Sequence, residues 1–225
     1  MKAFVIAEFG LCHDGTVESA KEVIRAAQDC GASAVKGQAF KYADVKGSMP
    51  SGFYKERCFN PIQCLELIQY GNQLGITVFF SIFSKGYECV TGAQRLHKFA
   101  AGQSKKQPRL VEKNDHHDVI VSVNAGTHLP ILQNASVLYA SPYLATDPQL
   151  DCITFLSEFY KRQVGYSDHT IGIEWCKLAV KKYGCNMIEK HFTLTRDIYF
   201  EGKQFSDAVH GATPKELSAL IKAVG

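Results

Sequence analysis

Two stretches decide the fold: Val164-Gly-Tyr-Ser-Asp-His-Thr170 and, further on, Met187-Ile-Glu-Lys-His-Phe192. Each is a short apolar run that ends in acids, histidines or hydroxyls, which is the pattern of a buried strand whose carboxyl end opens into a polar site. Residues 172–184 lie between them and have helical apolar spacing, with Cys176 and Ala179 among the apolar positions. A strand–helix–strand unit is a crossover, so the two polar ends are expected side by side on one rim.

The same alternation of strand and helix extends outward along the chain. The other predicted strands are Ala3–Ala7, Ser33–Gln38, Ile76–Ser81, His97–Gly102, Val119–Ser122 and Ser136–Ala140. The predicted helices are Val17–Cys30, Pro61–Leu74, Lys85–Arg95, Pro148–Arg162, Gly172–Gly184 and a closing helix from Thr213, with weaker helical patterns at Arg109–Glu112 and within Thr127–Asn134; Lys41–Asn60 is predicted to be irregular. This order favours an α/β fold, a (β/α)8 TIM barrel formed as a single domain by residues 1–225. The alternative is an open sheet of fewer strands, which the lack of a G-x-G-x-x-G motif after any predicted strand disfavours.

Composition narrows the class of protein. The 225 residues are 46% hydrophobic and 21% charged with a formal net charge of +3, so no nucleic-acid surface is predicted. No run of about eighteen apolar residues occurs, so no membrane span is predicted either. The apolar start is too short for a signal peptide and is broken by Glu8. The eight cysteines lie mostly inside apolar segments without a C-x-x-C pair, which favours reduced core thiols and a cytoplasmic location.

Polar side chains gather at the predicted carboxyl ends of the strands, where a barrel carries its active site. They are Glu8, His13, Lys36, Gln38, Lys98, Ser122, Ser141, Tyr143, Ser167, His169, Glu189 and His191. Lysines and hydroxyls bind anionic oxygens, while imidazoles and carboxylates bind divalent metals. The pattern therefore predicts a site for an anionic substrate and a divalent metal.

Several of these residues have two readings. Lys36 could be a solvated charge, but its apolar neighbours favour a buried ammonium that needs an anion such as phosphate. His169 alone could be structural or a metal ligand, and His191 on the neighbouring strand shifts the balance to metal. Asp168 either orients a ligand or caps a turn.

Four segments carry a resemblance to a known family. They are Ile6-Ala-Glu-Phe-Gly-Leu-Cys-His-Asp-Gly15, Gly31-Ala-Ser-Ala-Val-Lys-Gly-Gln38, Val164-Gly-Tyr-Ser-Asp-His-Thr170 and Ile188-Glu-Lys-His-Phe-Thr-Leu-Thr-Arg196. In this order and spacing they resemble the sialic acid synthase family, whose members condense phosphoenolpyruvate with an N-acylated aldose to make nine-carbon sugar acids. The resemblance implies a (β/α) barrel, in agreement with the strand pattern.

The resemblance also implies roles for the strand-end residues. It implies that His169 and His191 bind a divalent metal, manganese or magnesium. It implies that phosphoenolpyruvate is held by Lys36, Lys98, Ser122 and Ser167, and the N-acylated sugar by Gln38, Tyr143 and Asp207. Glu8 and His13 are the implied catalytic residues, with Glu8 managing protons at the reacting centre. A homodimer is a further possibility that the resemblance raises.

The chain departs from the family pattern at several positions. Cys12, Gly37, Ile82, Ala101 and Pro142 replace residues usual in the family, and Ile82 and Ala101 take the place of hydroxyls that help bind phosphoenolpyruvate. The family's histidine directly after Asp207 is replaced by Ala208, with His210 close by. Family members usually continue into a small antifreeze-like domain, and a barrel without it is expected here because the sequence stops at Gly225.

These departures keep two other functions open. One is a catalytically impaired barrel that binds a sugar or a partner protein. The other is a metal-dependent hydrolase on the same fold. Hydrolases of that kind commonly place an H-x-H pair on an early strand, where this chain has Glu8.

Overall fold

The eight predicted strands close into a parallel barrel, so the predicted TIM-barrel fold is confirmed. The computed structural model describes residues 2–45, 51–102, 118–126 and 135–225. The barrel strands are β1 (Phe4–Gly10), β2 (Ala34–Ala39), β3 (Thr77–Ile82), β4 (Leu96–Phe99), β5 (Asp118–Val123), β6 (Ser136–Ala140), β7 (Val164–Asp168) and β8 (Met187–His191). Each strand pairs with the next in parallel, and β8 returns to β1.

Helices connect the strands. They are α1 (Val17–Asp29), α2 (Tyr42–Val45), α3 (Ser51–Glu56), α4 (Pro61–Leu74), α5 (Glu88–Ala93), α6 (Asp151–Tyr160), α7 (Glu174–Tyr183), α8 (Ser206–His210) and α9 (Pro214–Val224). Helix α4 has its predicted bounds; it starts with a capping box between Asn60 and Gln63 and ends, as predicted, before Gly75, which lies in the left-handed region (φ 74°). In the described part of the chain, no helix has the length and apolarity to cross a bilayer.

Strand alternation divides the side chains into an interior set and an outer set. Ile6, Phe79, Ile120 and Leu138 pack together inside the barrel, while outward-facing residues such as Val121 join the large core between strands and helices. Side chains two residues apart on a strand share a face. The residue two positions after each interior residue therefore points into the mouth at the carboxyl end of the barrel.

Three regions differ from the predicted elements. The stretch predicted to be irregular contains α2 and α3. After β8 the chain forms an unpredicted hairpin of β9 (Tyr199–Phe200) and β10 (Lys203–Gln204), whose turn has positive φ at Glu201 (47°) and Gly202 (75°). Strand β4 stops at Phe99, before the predicted end.

Some predictions fall outside the described residues. These are the helical patterns at Arg109–Glu112 and Thr127–Asn134 and the histidines at positions 116 and 117.

Candidate active site

Two lysines and two glutamates meet in the mouth of the barrel. We call Glu8, Lys36, Lys98 and Glu189 the rim cluster; they come from β1, β2, β4 and β8, and all four are buried. The Nζ of Lys36 donates to Oε1 of Glu8 at 3.1 Å and lies 4.0 Å from Oε2 of Glu189. The Nζ of Lys98 contacts both carboxylate oxygens of Glu189 at 2.7 Å. The contacts thus form a chain of alternating charge that runs from Glu8 through Lys36 and Glu189 to Lys98.

These contacts fix the charge states of the cluster. Burial alone would raise the pKa of both glutamates, but the charges beside them outweigh it. His191 and Lys36 hold the pKa of Glu8 well below its usual range, and Lys98 lowers that of Glu189 to about 2. Burial opposes the charge of Lys36, yet Glu8 keeps its pKa above the usual value. Both glutamates are ionised and Lys36 is protonated at neutral pH.

The anion expected beside Lys36 is therefore supplied by the protein itself. The sequence predicts a buried ammonium that needs a negative partner, and Glu8 is that partner. A substrate phosphate at this position would have to share Lys36 with the carboxylate.

Hydroxyl and amide groups border the rim cluster. Ser167 donates to Oε1 of Glu189 at 2.8 Å, and Gln38 donates to Oε1 of Glu8 at 3.4 Å. Ser81, which sequence reasoning did not select, accepts from Lys36 at 3.4 Å; its position two residues after the interior Phe79 was the available signal.

Ser122 also lies in the mouth of the barrel. It follows the interior residue Ile120 by two positions on β5 and is buried. Its hydroxyl oxygen has no hydrogen-bond partner among the described residues. A buried polar atom of this kind usually has a partner, so it marks a place where a ligand can bind.

The two predicted metal ligands lie close together. The ring centres of His169 and His191 are 5.5 Å apart. Nδ1 of His169 lies 2.8 Å from the carbonyl oxygen of Ser141, which accepts its proton and leaves Nε2 available. Nδ1 of His191 lies 2.6 Å from Oε2 of Glu8, close enough for an ion pair although not aligned as a hydrogen bond. Tyr143, exposed on its other side, stacks on His169 at 4.5 Å.

A third imidazole joins this pair. His210, at the end of α8, has its ring centre 4.5 Å from that of His191 and 5.7 Å from that of His169. Donor atoms of His191, Asp207 and His210 all lie within 4.8 Å of one another. His210 has no role among the residues predicted from the sequence. The signal for it was its spacing of three residues from Asp207, which puts both side chains on one face of a helical turn.

The three imidazoles differ in charge. Burial lowers the pKa of His169 to about 4, and repulsion from His191 adds to the effect. Burial and the same repulsion lower the pKa of His210 to about 2. Burial also opposes protonation of His191, but Glu8 and Asp207 outweigh it and raise its pKa. His169 and His210 are thus neutral, the form in which imidazole binds metals.

Asp168 points away from the mouth and forms a second ionic contact outside the barrel. We call Asp168 and Lys190 the outer ion pair: Oδ2 and Nζ are 2.8 Å apart, and both side chains are fully buried. Tyr166 and Cys176 also donate to the carboxylate. Its Oδ1 accepts the backbone N–H of Thr170 at 2.9 Å, so Asp168 caps the turn that carries His169, one of its two predicted roles.

His13, the other predicted catalytic residue, has different neighbours. Its ring stacks on Phe59 at 4.5 Å and meets the edge of Phe9. Arg57 donates to its carbonyl oxygen at 2.6 Å. Burial lowers the pKa of His13 to about 3. None of the contacts found among the described residues joins it to the rim cluster.

Comparison with known proteins gives a consistent result. The model of the NeuB family matches residues 109–225. An uncharacterized protein of Methanocaldococcus jannaschii is 30% identical over 98% of this chain and 69% of its own length. The N,N'-diacetyllegionaminic acid synthase of Legionella pneumophila is 28% identical over 100% of this chain and 72% of its own. A crystal structure of the sialic acid synthetase of Leptospira borgpetersenii with citrate superposes with a TM-score of 0.86 at 27% identity, covering 100% of this chain and 83% of that one.

Proposed function

The chain belongs to the NeuB family, and on that basis we propose that it condenses phosphoenolpyruvate with an N-acylated aldose, such as N-acetylmannosamine, in a metal-dependent reaction. The product is a sialic acid or a related nonulosonic acid, and phosphate is released. Its relatives include an N,N'-diacetyllegionaminic acid synthase and a sialic acid synthetase.

The observation that carries the proposal is the meeting of the rim cluster with the imidazoles in one mouth. Glu8 links the two groups, because its two oxygens contact Lys36 at 3.1 Å and His191 at 2.6 Å. Ammonium and hydroxyl donors are suited to the phosphate and carboxylate oxygens of phosphoenolpyruvate. In the proposed complex these donors are Lys36, Lys98, Ser122 and Ser167.

The remaining residues are assigned to the sugar and to proton transfer. Gln38, Tyr143 and Asp207 border the mouth and would orient the acylated aldose. The enol carbon attacks the aldehyde carbon, water adds at the carbon that bears phosphate, and phosphate leaves. Ionised Glu8 is the group that can accept the proton of that water.

The donors in the mouth fit a divalent metal. Nε2 of His169 is left available by the bond of Nδ1 to Ser141, and His191 lies 3.9 Å from the carboxylate of Asp207. Imidazole and carboxylate are ligands of manganese and related ions. When bound, such an ion polarises the aldehyde oxygen and stabilises the alkoxide that develops there.

A phosphate-release assay tests this function. Metal-loaded protein should release phosphate from phosphoenolpyruvate only when an N-acylated aldose is also present. Omission of the sugar and chelation of the metal are the controls. Absence of turnover across a broad panel of acylated aldoses with manganese and with magnesium would contradict the proposal.

A second candidate is a barrel that binds a sugar or partner without catalysis. The specific observation in its favour is that both lysines already have carboxylate partners, while Ile82 and Ala101 stand where the resembling family has hydroxyls. Calorimetry with phosphoenolpyruvate and manganese distinguishes the two. Measurable affinity supports the synthase, and its absence together with sugar binding supports the second candidate.

A further inference from the structure

We propose that His210 is an additional metal ligand, and that with His191 and Asp207, beside His169, it forms a nitrogen-rich centre that prefers transition metals such as cobalt or zinc to magnesium. This inference rests on the metal dependence of the proposed function. It assigns a residue that lies outside the predicted histidine pair.

Geometry is the first support. An ion that holds each donor at about 2.1 Å places two donors at most about 4.2 Å apart. The donor atoms of His191, Asp207 and His210 already lie within 4.8 Å of one another. Side-chain rotations that move these atoms by a fraction of an ångström therefore suffice to bring all three onto one ion.

The unsatisfied ring of His210 is the second support. The side chain is fully buried, and neither ring nitrogen has a hydrogen-bond partner among the described residues. Leaving a polar group buried and unpaired is unfavourable, so such groups usually have a partner. A cation fits, because the ring lies beside the carboxylate of Asp207 and the imidazoles of His191 and His169.

The backbone holds His210 in this position. Helix α8 places Asp207 and His210 on one face, and the chain after it pairs with the end of β8. The N–H of Ala212 donates to the carbonyl oxygen of His191 at 2.7 Å. The segment that carries His210 is thus tied directly to a predicted ligand.

The composition of this donor set determines which ions it favours. Magnesium prefers oxygen ligands, whereas imidazole nitrogen suits zinc, iron and nickel, and affinity generally rises from manganese through cobalt. Two imidazoles and one carboxylate, with the imidazole of His169 beside them, should therefore bind cobalt more tightly than manganese, and manganese more tightly than magnesium. Removing one imidazole should weaken cobalt binding more than magnesium binding.

Metal titration of the metal-free protein tests the assignment without relying on activity. Wild type, His210→Gln and His210→Asn are titrated with cobalt and with magnesium by calorimetry, and the visible spectrum of bound cobalt is recorded. The matched control is Val209→Ala, which alters the same short helix without removing a donor. Circular dichroism establishes that each variant is folded.

We expect His210→Gln to lose at least about tenfold to a hundredfold in cobalt affinity, the range found when even supporting residues of metal sites are removed. Its ratio of cobalt to magnesium affinity should fall and its cobalt spectrum should change, while Val209→Ala retains both. An unchanged ratio and spectrum in both His210 variants, or an equal loss in Val209→Ala, would overturn the inference. Wild type that binds cobalt through His210 but releases no phosphate would instead contradict the proposed function alone.

Discussion

The rim cluster and the outer ion pair are both made of buried lysines and carboxylates, yet they differ in how completely they are satisfied. In the outer pair, Asp168 accepts from Lys190, two side chains and a backbone N–H. Lys190 has no exposed surface. In the rim cluster, Oε2 of Glu8 has no aligned hydrogen-bond donor among the described residues, and Glu189 is 7% exposed.

The difference separates a structural ion pair from a binding site. A saturated pair sealed between strands and helices has no capacity left for a ligand, so its contribution is to the folded state. A pair with an unused oxygen at the open end of a barrel can exchange a protein contact for a substrate contact. A buried lysine by itself does not distinguish the two, because its partners decide its role.

Loss of the outer lysine is predicted to have the largest effect. Lys190→Met leaves the carboxylate of Asp168 buried without its counter-ion and should lower the free energy of unfolding by about 3–5 kcal/mol. Denaturant unfolding measures the change. The double variant Lys190→Met/Asp168→Asn removes both charges but keeps an acceptor for Thr170, so it should regain part of the loss. A change below about 1 kcal/mol in Lys190→Met would show that the pair is not a structural element.

The corresponding change in the rim cluster should affect turnover more than stability. Lys98→Met removes a charged group that we propose donates to phosphoenolpyruvate, and a loss of about 1.5–3 kcal/mol lowers kcat/KM roughly tenfold to 150-fold. Glu189 keeps its bond from Ser167 and its proximity to Lys36, so unfolding should change less than in Lys190→Met. Equal destabilisation of the two variants would remove the distinction between the clusters.

Ser122→Ala tests the unsatisfied hydroxyl of the mouth. Because this oxygen has no partner among the described residues, its removal should leave the free energy of unfolding unchanged or slightly higher. Affinity for phosphoenolpyruvate should fall by the value of one hydrogen bond, about 0.5–1.5 kcal/mol. Parallel unfolding and calorimetric binding experiments check both halves. A destabilised variant with normal affinity would contradict the assignment.

The smallest effect is predicted for the partly exposed ion pair of Arg196 and Glu216. Burial would raise the pKa of Glu216, but hydrogen bonds from Arg196 and Thr213 outweigh it and lower the pKa. A carboxylate whose pKa is lower in the folded state stabilises the fold at pH values above its unfolded-state pKa, which is about 4.3. This contribution is lost as the pH falls through the folded-state pKa.

Glu216→Gln should therefore cost about 0.5–1 kcal/mol at pH 7, a typical value for a capping interaction. The difference from wild type should shrink as the solution is acidified towards the folded pKa. Thermal unfolding at several pH values measures it. A difference that does not depend on pH would rule out the carboxylate charge as its source.

The sequence was sufficient to predict the barrel and the inward-facing residues, because both follow from period-two alternation and from turn signals such as Gly75. The same alternation separates Ser167 from Asp168, and it could have placed Asp168 outside the mouth. The partners of Lys36 and Lys98 were harder to predict from the sequence. Which glutamate faces Lys36 depends on the register and tilt of strands far apart in sequence, and no local pattern encodes these.

The part of the site formed by the segment between β8 and α9 was the hardest to predict from the sequence. The position of His210 depends on a five-residue helix, which is too short for a periodic signal, and on the pairing of Ala212 with the end of β8. The hairpin that precedes it is held by a turn of two residues with positive φ. Local propensity gives little indication of either, since tertiary contacts fix both.

The alternation of Glu189, Lys190 and His191 along β8 has a consequence for anyone who wishes to redesign the protein. Under the proposed function, changes at Glu189 and His191 act on the lysines and the metal site of the mouth, whereas changes at Lys190 act on thermal stability, so activity and stability depend on opposite faces of one strand. The turn from Asp168 to His169 is the exception, because the outward-facing Asp168 caps the turn that carries a proposed metal ligand. Libraries that diversify the mouth should therefore leave Asp168 fixed.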